Sequence, residues 1–326
     1  MSPPKSNTFL DPRFAASALV PRATLIHNAY AAGHFRLSTE RILKLLREAG
    51  YDARHVPTGS EAELAAVLTD PGDLVVAAGG DGTIRGVALT LASRNPSVPL
   101  ALAPLGTANN IARTLGLTDT TETLLRGLAT PRKRPFDLGF VRAPWGEARF
   151  LEAFGFGLFA HGMEQYAPDG GKSLFRAVRA ALSTFARYEA KEWRLELDGH
   201  DRSGRYLMIE IMNTAAMGLR LRLAPDADPG DGLLEVVLVH EDATVGPYAY
   251  LKELVVGNLL RLPNVEVVQG KKLKIDWDGS PLHFDEEVRG DDDGSVAGGE
   301  VCIEIQAGAL EFWLPQTSEP ASSKPY

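Results

Sequence analysis

A glycine-rich turn carries the strongest chemical signal in this sequence. It reads Gly79-Gly80-Asp81-Gly82-Thr83 and lies between the apolar run LVVAA and a stretch of helical periodicity. Glycine tolerates positive φ and lets backbone N–H groups approach a ligand closely, and the N-terminus of the following helix adds about half a positive charge. The turn is therefore suited to bind a phosphate group. The alternative interpretation is a tight turn in which Asp81 only caps the helix.

A second turn of this kind, PLGTANN, contains Gly106, Thr107 and Asn109 and again links an apolar run to a helical stretch. If both runs are parallel strands, the two turns meet at the carboxyl ends of the strands, where open α/β sheets bind ligands. Thr107 and Asn109 can hydrogen-bond a phosphate or cap the helix. Arg113 can reach an anionic oxygen or remain a solvated helix residue. Asp81 would then place a carboxylate beside the phosphates, which suits a bridging Mg²⁺ ion.

Three carboxylates precede the β-rich run GLLEVVLV. Asp226, Asp228 and Asp231 could supply oxygen ligands to Mg²⁺ or Ca²⁺. The alternative is that they are ordinary turn residues of APDADPGDG, where Asp side chains bond the neighbouring backbone.

The first half of the chain has the pattern of an α/β domain. Four apolar runs alternate with helical stretches, and the first two helical stretches begin at Ser38 and Ser60. The apolar runs lie at 23–28, 53–56, 73–80 and 99–105. This alternation predicts a parallel sheet with helices on both faces. Neither GxGxxG nor GxxxxGK[ST] is present, which disfavours the Rossmann and P-loop families.

The second half is β-rich and predicts a mostly antiparallel sheet or sandwich. Its predicted strands are separated by DG, GG and GD turn signals, and they lie at 149–156, 192–198, 205–213, 233–239, 272–277, 300–306 and 309–314. One amphipathic segment, from about Lys172 to Lys191, is predicted to be helical and carries a net charge of +4. Such a segment either packs on its own domain or lies on an anionic membrane surface.

Composition narrows the classes of protein. Lys plus Arg number 34 and Asp plus Glu 42, for a net charge of −8, which disfavours a nucleic-acid partner. Cys302 is the single cysteine, so neither an internal disulfide framework nor a cysteine zinc site is expected. The sequence has no run of 18 apolar residues and no apolar signal-peptide core. We therefore expect a cytoplasmic protein, and the sequence leaves a homodimer open.

The sequence contains the motifs GGDGT, PLGTANN-x-AR, FDLG, RFLEAFGFG, LAPDADPGDGLLEVVLV and FDEEV…GALEFWLP. Taken together, these motifs resemble the diacylglycerol kinase catalytic-domain superfamily of lipid kinases. The resemblance covers most of residues 23–315. It implies an α/β nucleotide domain like those of NAD kinases and phosphofructokinases, followed by a mostly antiparallel β-sandwich domain, with the active site in the cleft between them. It also implies ATP, Mg²⁺ and phosphorylation of a lipid hydroxyl at a membrane surface.

The resemblance also implies roles for individual residues. Asp285 matches the position of the catalytic base, and Glu287 that of its partner or of a metal-linked carboxylate. Asn28 and the two glycine turns match nucleotide-binding positions, and a structural metal is implied at Asp226, Asp228 and Asp231. The rivals of Asp285 are Asp278, followed by Gly279, and the acidic run 291–293. The chain departs from the family pattern in the turn after the first strand, where only Asn28 and a distant glycine of the usual NPxSG remain. It also departs at Asn110, Glu152 and Glu286, which stand in place of Asp, Asn and Gly.

The expected domains are residues 23–140 for the nucleotide-binding domain and 141–308 for the lipid-kinase substrate domain. The last strand, at about 309–315, is expected to return to the first domain, with flexible ends at 1–22 and 316–326. The expected function is an ATP-dependent lipid kinase that acts on a diacylglycerol-like or related lipid. An NAD-kinase-like enzyme and a catalytically weak nucleotide- or lipid-binding protein are the alternatives.

Overall fold

The structure is a computed structural model. It describes residues 20–28, 37–94, 98–166, 188–218, 220–242, 244–245, 247–290 and 297–316. These ranges leave out most of the predicted flexible ends, most of the predicted basic helix and the whole of the acidic run 291–293.

A parallel sheet with helices on both faces forms the first half, as the alternating pattern predicts. Its strands are β1 (Arg22–Asn28), β2 (Asp52–Thr58), β3 (Leu74–Gly79) and β4 (Leu100–Pro104), in the order β2-β1-β3-β4. The helices are α1 (Thr39–Glu48), α2 (Glu61–Val67), α3 (Asp81–Arg94), α4 (Asn110–Thr114) and α5 (Thr121–Gly127). Strand β3 is buried along its whole length, as expected for a parallel strand covered on both faces.

The helix starts follow from local capping chemistry. The side chain of Ser38 accepts the N–H of Arg41 at the start of α1, and Ser60 accepts the N–H of Glu63 at the start of α2. These bonds satisfy donors that have no partner inside the helix. The predicted helix starts at Ser38 and Ser60 thus match the structure.

The second half contains the antiparallel sheet that the sequence predicts. Its strands are β7 (Ala153–Gly157), β8 (Lys191–Trp193), β11 (Gly204–Met212), β12 (Leu234–His240), β13 (Val265–Gly270), β15 (Leu282–Phe284) and β16 (Glu287–Arg289). Their order in the sheet is β13-β12-β11-β7-β15-β16, and β8 pairs with β11. Helices α6 (Leu158–Tyr166) and α7 (Pro247–Val256) and a 3-10 turn at Leu259–Arg261 complete this half.

One long strand, β17 (Gly299–Pro315), joins the two halves. Phe312 pairs in parallel with Leu100 of β4, and the rest of β17 pairs antiparallel with β5 (Pro131–Ala143) and β14 (Lys272–Trp277). The same ten-stranded sheet includes β6 (Gly146–Phe150), β9 (Leu195–Leu197) and β10 (His200–Asp201). The sheet therefore runs from the parallel strands of the first half into the second half without a break.

Some predicted element boundaries were wrong. The two predicted strands at 300–306 and 309–314 form the single strand β17, which changes register between Gln306 and Leu310 instead of ending. Lys191 belongs to strand β8 and not to a helix. Strand β13, which is mostly half-buried, and helix α7 were not predicted.

We expect Phe312→Ala to destabilise the whole protein. Phe312 is fully buried, and its ring centroid lies 4.7 Å from that of Phe136. Truncation of a core phenylalanine costs about 3–5 kcal/mol, which should appear as a lower midpoint of urea unfolding. Glu311→Ala, on the preceding residue, removes an exposed ion pair to Lys133 and a hydrogen bond from Nε1 of Trp313, and should cost about 1–2 kcal/mol. Equal, small effects of both substitutions would contradict the integral role of β17.

Candidate active site

The first glycine turn links the end of β3 to the start of α3. A Cβ atom at Gly79 would lie 2.5 Å from Oγ1 of Thr83, so the Thr83 side chain already fills that space. The carbonyl oxygen of Gly80 accepts the N–H of Ile84 at 3.0 Å, which begins the helix. Gly79 therefore lacks a side chain at a position where the side chain of Thr83 packs against the backbone.

The second glycine turn lies directly against the first. A Cβ atom at Gly106 would lie 2.5 Å from Cα of Gly80, and the N–H of Leu105 donates to the Gly79 carbonyl at 2.8 Å. Asn109 closes its own turn, since its side chain both accepts from and donates to the backbone of Gly106 at 2.9 Å. This left-handed residue, with φ of +52°, thus has a structural role.

Asp81 holds the two turns together. Its carboxylate accepts the backbone N–H of Ile111 at 3.2 Å and interacts with those of Asn109 and Asn110. Burial raises the pKa of Asp81, while these backbone donors act in the opposite direction. The carboxylate of the first turn is therefore directed at the N-terminus of α4, the helix that the second turn opens.

Two arginines lie on the carbonyl side of the second turn. Nε of Arg113 donates to the carbonyl oxygen of Ala108 at 3.1 Å. Arg220, from the second half of the chain, donates to the same oxygen at 3.3 Å and to that of Thr107. Arg113 is exposed, so its terminal nitrogens face solvent at the rim of the turn.

The acidic turn 285–287 begins at a buried carboxylate. Asp285 is 5% exposed, and its two carboxylate oxygens accept the N–H groups of Leu151, Glu152 and Ala153 at 3.0, 2.8 and 3.2 Å. Burial raises the pKa of Asp285, and the three backbone donors and the charge of Arg85 act to lower it. Asp285 itself adopts the left-handed conformation, with φ of +49°, whereas Glu286 does not. The glycine that Glu286 replaces is therefore not needed for the turn.

This acidic turn contacts the first glycine turn. A Cβ atom at Gly82 would lie 3.3 Å from Oε2 of Glu286, and Arg85 of α3 lies 3.7 Å from the Glu287 carboxylate. The candidate site thus has two glycine turns on one side and a carboxylate-rich turn on the other.

Glu152 and Asn110 meet across the boundary between the two halves. Glu152 is 8% exposed and Asn110 2% exposed. Nδ2 of Asn110 donates to the Gly218 carbonyl at 2.9 Å and to Oε2 of Glu152 at 3.4 Å. The pKa of Glu152 is raised well above its ordinary value, first by burial and then by the negative charges of Asp81, Asp285 and Glu286.

The predicted metal loop has a different arrangement. Asp228 forms an ion pair with Arg134 and accepts the N–H of Gly230 at 3.0 Å, and Asp231 accepts the N–H of Leu233 at 2.9 Å. Asp226 is exposed. Among the residues that the structure describes, no three His, Cys, Asp or Glu side chains form a group that could hold a metal ion. The contacts of Asp228 and Asp231 with nearby backbone N–H groups are those of the turn-residue alternative.

The remaining predicted residues are separated from the acidic turn or described only in part. Asn28 is the last residue of β1. The carboxylate of Asp278, the nearest rival of Asp285, accepts the backbone N–H of Ser280 at 3.0 Å and forms an ion pair with Nζ of Lys191 at 3.2 Å. Sequence reasoning missed Arg85 and Arg220, because nothing local marks an arginine whose partners are distant in the chain.

Two family models match this chain. The diacylglycerol kinase catalytic domain matches residues 22–141, and the YegS C-terminal NAD kinase beta sandwich-like domain matches residues 171–312. The first model ends within β5, and residues 142–170 lie between the two models.

Relatives with similar sequences carry kinase names. A "probable lipid kinase YegS-like" protein of Pseudomonas fluorescens is 34% identical over 65% of this chain and 72% of its own length. Another with that name, from Pseudomonas putida, is 32% identical over 73% of this chain and 81% of its own length. A diacylglycerol kinase of Bacillus subtilis is 27% identical over 67% and 73%.

The fold is shared with a solved structure. A diacylglycerol kinase from Bacillus anthracis superposes with a TM-score of 0.65 at 19% identity, covering 90% of this chain and 97% of that one. The predicted two-part fold is thereby confirmed. In the described part of the chain, none of the helices has the length and apolar character to span a membrane.

Gly106→Ala should separate the two glycine turns. The added methyl group would overlap the backbone of Gly80, and overpacking of this kind costs about 1–3 kcal/mol of unfolding free energy. Faster hydrogen exchange at the amides of both turns would show the separation. Gly86→Ala is the matched control, because its methyl group would meet Leu64 at an ordinary 3.8 Å and alanine favours a helix. If both variants unfold alike, the turns do not depend on this contact.

Proposed function

Because the chain belongs to the family of YegS-like lipid kinases, within the diacylglycerol kinase catalytic-domain superfamily, we propose that it transfers the γ-phosphoryl group of ATP to a lipid hydroxyl group. The acceptor would be a diacylglycerol-like or related lipid. The observation that carries the proposal is the contact of the acidic turn 285–287 with the first glycine turn, against which the second glycine turn lies.

The nucleotide would lie against the glycine turns. Backbone N–H groups at the start of α3, a helix of 14 residues, favour the negative charge of phosphates. The exposed hydroxyl of Thr107 and the guanidinium of Arg113 lie at the rim of the second turn, where anionic oxygens could be bound. These contacts would position ATP with its phosphates toward the acidic turn.

Mg²⁺ would enter this site on the phosphate oxygens of ATP. The exposed carboxylates of Glu286 and Glu287 offer the oxygen donors that Mg²⁺ prefers, and the ion commonly needs only one or two carboxylates besides substrate phosphates. When bound, it would neutralise charge that develops on the transferred group. The residues present therefore fit this ion.

The acceptor lipid would enter on the side of the acidic turn. Phosphoryl transfer needs in-line positioning of the hydroxyl, charge neutralisation and a group that takes the hydroxyl proton. Carboxylates from both halves of the chain lie near one another, since the charges of Asp81 and Asp285 both act on Glu152. A carboxylate beside the phosphates would supply the proton acceptor that this reaction needs.

The direct test is a screen of acceptors with ADP release as the readout. Purified protein, ATP and Mg²⁺ would be combined with vesicles that contain diacylglycerol, sphingosine or ceramide, and with NAD as an acceptor outside the lipid class. We expect ADP formation to depend on a lipid and the product to be its phosphate ester. Activity with NAD alone would favour the NAD-kinase alternative, and no activity with any acceptor would favour a catalytically weak binding protein.

Asp81→Asn should reduce kcat/KM by orders of magnitude while the protein stays folded. The substitution keeps the shape of the side chain but removes the charge that the backbone donors of α4 face. Kinetics and thermal melting of the same preparation would check this. Asp276→Asn, which breaks an exposed ion pair to Arg194, is the control and should leave both measurements unchanged. If the Asp81 variant retains activity, the prediction is wrong and Asp81 serves only as a turn residue.

We further propose that the enzyme meets its lipid by peripheral binding to an anionic membrane. The basis is the predicted basic segment 172–191, with its net charge of +4, since each Lys or Arg near such a surface contributes about 1 kcal/mol. Co-sedimentation with phosphatidylserine vesicles should therefore decrease as salt increases. Equal, salt-insensitive binding to neutral and anionic vesicles would contradict this proposal.

A further inference from the structure

We propose that Arg220, from the second half of the chain, is a positioning residue for the nucleotide, because it fixes the backbone of the second glycine turn in the orientation that binds ATP. The inference rests on the proposed function and adds a residue to its nucleotide site. Arg220 would not touch the reacting atoms. It would act through the peptide groups at 107–109, which lie between its guanidinium and Asp81.

The backbone of Arg220 has an unfavourable conformation. Its φ of +67° lies in the left-handed region, where the Cβ atom crowds a carbonyl oxygen. Residues in such a conformation persist only where their surroundings hold them, and they are concentrated at functional sites. Met217 and Leu221, on either side of Arg220, exchange backbone hydrogen bonds at 3.1 and 2.9 Å, and the Gly218 carbonyl accepts Nδ2 of Asn110 at 2.9 Å. Arg220 is therefore held close to the start of α4.

The side chain of Arg220 bonds two successive carbonyl groups of the second glycine turn. Its Nε donates to the Ala108 oxygen at 3.3 Å, and its Nη2 donates to the Thr107 oxygen. A guanidinium is a rigid planar fork, so these two bonds fix the planes of both peptide groups. Nε of Arg113 donates to the same Ala108 oxygen at 3.1 Å. Since a carbonyl oxygen has two lone pairs, the two arginines saturate this one.

The direction of these carbonyl groups determines where the neighbouring N–H groups point. In a trans peptide, the C=O of one residue and the N–H of the next point in opposite directions. The Ala108 carbonyl is directed at the arginines, and the N–H of Asn109 accordingly interacts with the Asp81 carboxylate. The same geometry directs the N–H of Ala108 away from Arg220. One peptide group thus lies between a cation of the second half and the carboxylate of the first glycine turn.

This arrangement favours an anion on the N–H side of the turn. Hydrogen bonds in a chain polarise one another, so a cation on the oxygen side strengthens each N–H as a donor. The guanidinium also orders the turn before a ligand arrives, which reduces the free-energy cost of binding. Under the proposed function, the phosphates of ATP occupy the N–H side. Arg220 would therefore increase the affinity for ATP without contacting it.

Arg220→Gly separates this role from a merely structural one. Glycine adopts a positive φ without a penalty, so the melting temperature should match or exceed that of wild type. The two bonds to the turn are lost, so the Kd of Mg-ATP, measured by calorimetry without lipid, should increase about 10-fold. With lipid present, KM for ATP should rise by a similar factor while kcat stays within about 3-fold, because the lost binding is common to ground and transition states.

Asp198→Gly is the matched control. Asp198 is also exposed, also has a positive φ, of +50°, and also bonds the backbone with its side chain, which accepts the N–H groups of Lys271 and Lys272 at 3.0 and 2.8 Å. It lies in the turn between β9 and β10, at the edge of the ten-stranded sheet. Because distant sites act independently, its Kd for Mg-ATP should stay within about 2-fold of wild type.

Arg220→Lys tests whether charge alone is sufficient. Lysine keeps the positive charge but lacks the planar fork, so its Kd for Mg-ATP should lie closer to that of Arg220→Gly than to that of wild type. Wild-type affinity in the lysine variant would overturn the positioning role.

The remaining outcomes distinguish this inference from the proposed function. Unchanged affinity in Arg220→Gly, or a melting temperature that falls together with the affinity, would overturn the inference while leaving the kinase function intact. If wild-type protein does not bind Mg-ATP, the proposed function fails and the role of Arg220 fails with it.

Discussion

The contact between the backbones of Gly80 and Gly106 is the constraint on which the candidate site depends. Only because neither position carries a side chain can the two turns come close enough for the Asp81 carboxylate to reach the N–H groups that begin α4. Without those donors, a largely buried carboxylate would carry the full cost of desolvation. Two turns from different parts of the chain thus share one carboxylate.

The two halves of the chain are joined by the shared strand β17. It pairs with β4 of the parallel sheet and with β5 and β14, so continuous hydrogen bonding, rather than a linker, sets the relation between the two halves. Asn110 and Arg220 add polar contacts across the same boundary. The contact of Glu286 with the turn at Gly82 is consequently a feature of the folded chain itself and needs no ligand to create it.

The parts of this site that could be predicted from sequence are those whose causes are local. Glycine turns after apolar runs, and Ser38 and Ser60 as helix caps, depend on residues a few positions apart, and the structure has them where the pattern predicts. The contact between Asn110 and Glu152 joins residues 42 positions apart, and each position alone resembles a weakening departure from the family pattern. No periodicity or motif reports such a contact, because it depends on how the two sheets are joined.

The same contact explains why the two departures are compatible with a working site. A second carboxylate at position 110 would face Glu152 at hydrogen-bonding distance, which would add a further like charge to a buried group already opposed by three acids. The amide of Asn110 avoids that repulsion and binds the Gly218 carbonyl with its other hydrogen. The acids of this site then fall into two kinds. Asp81 and Asp285 each accept backbone N–H groups, which oppose the effect of burial on their pKa values. Within the described residues, the hydrogen bond to the Glu152 carboxylate comes instead from the side chain of Asn110, so the two positions form one polar contact across the boundary between the halves.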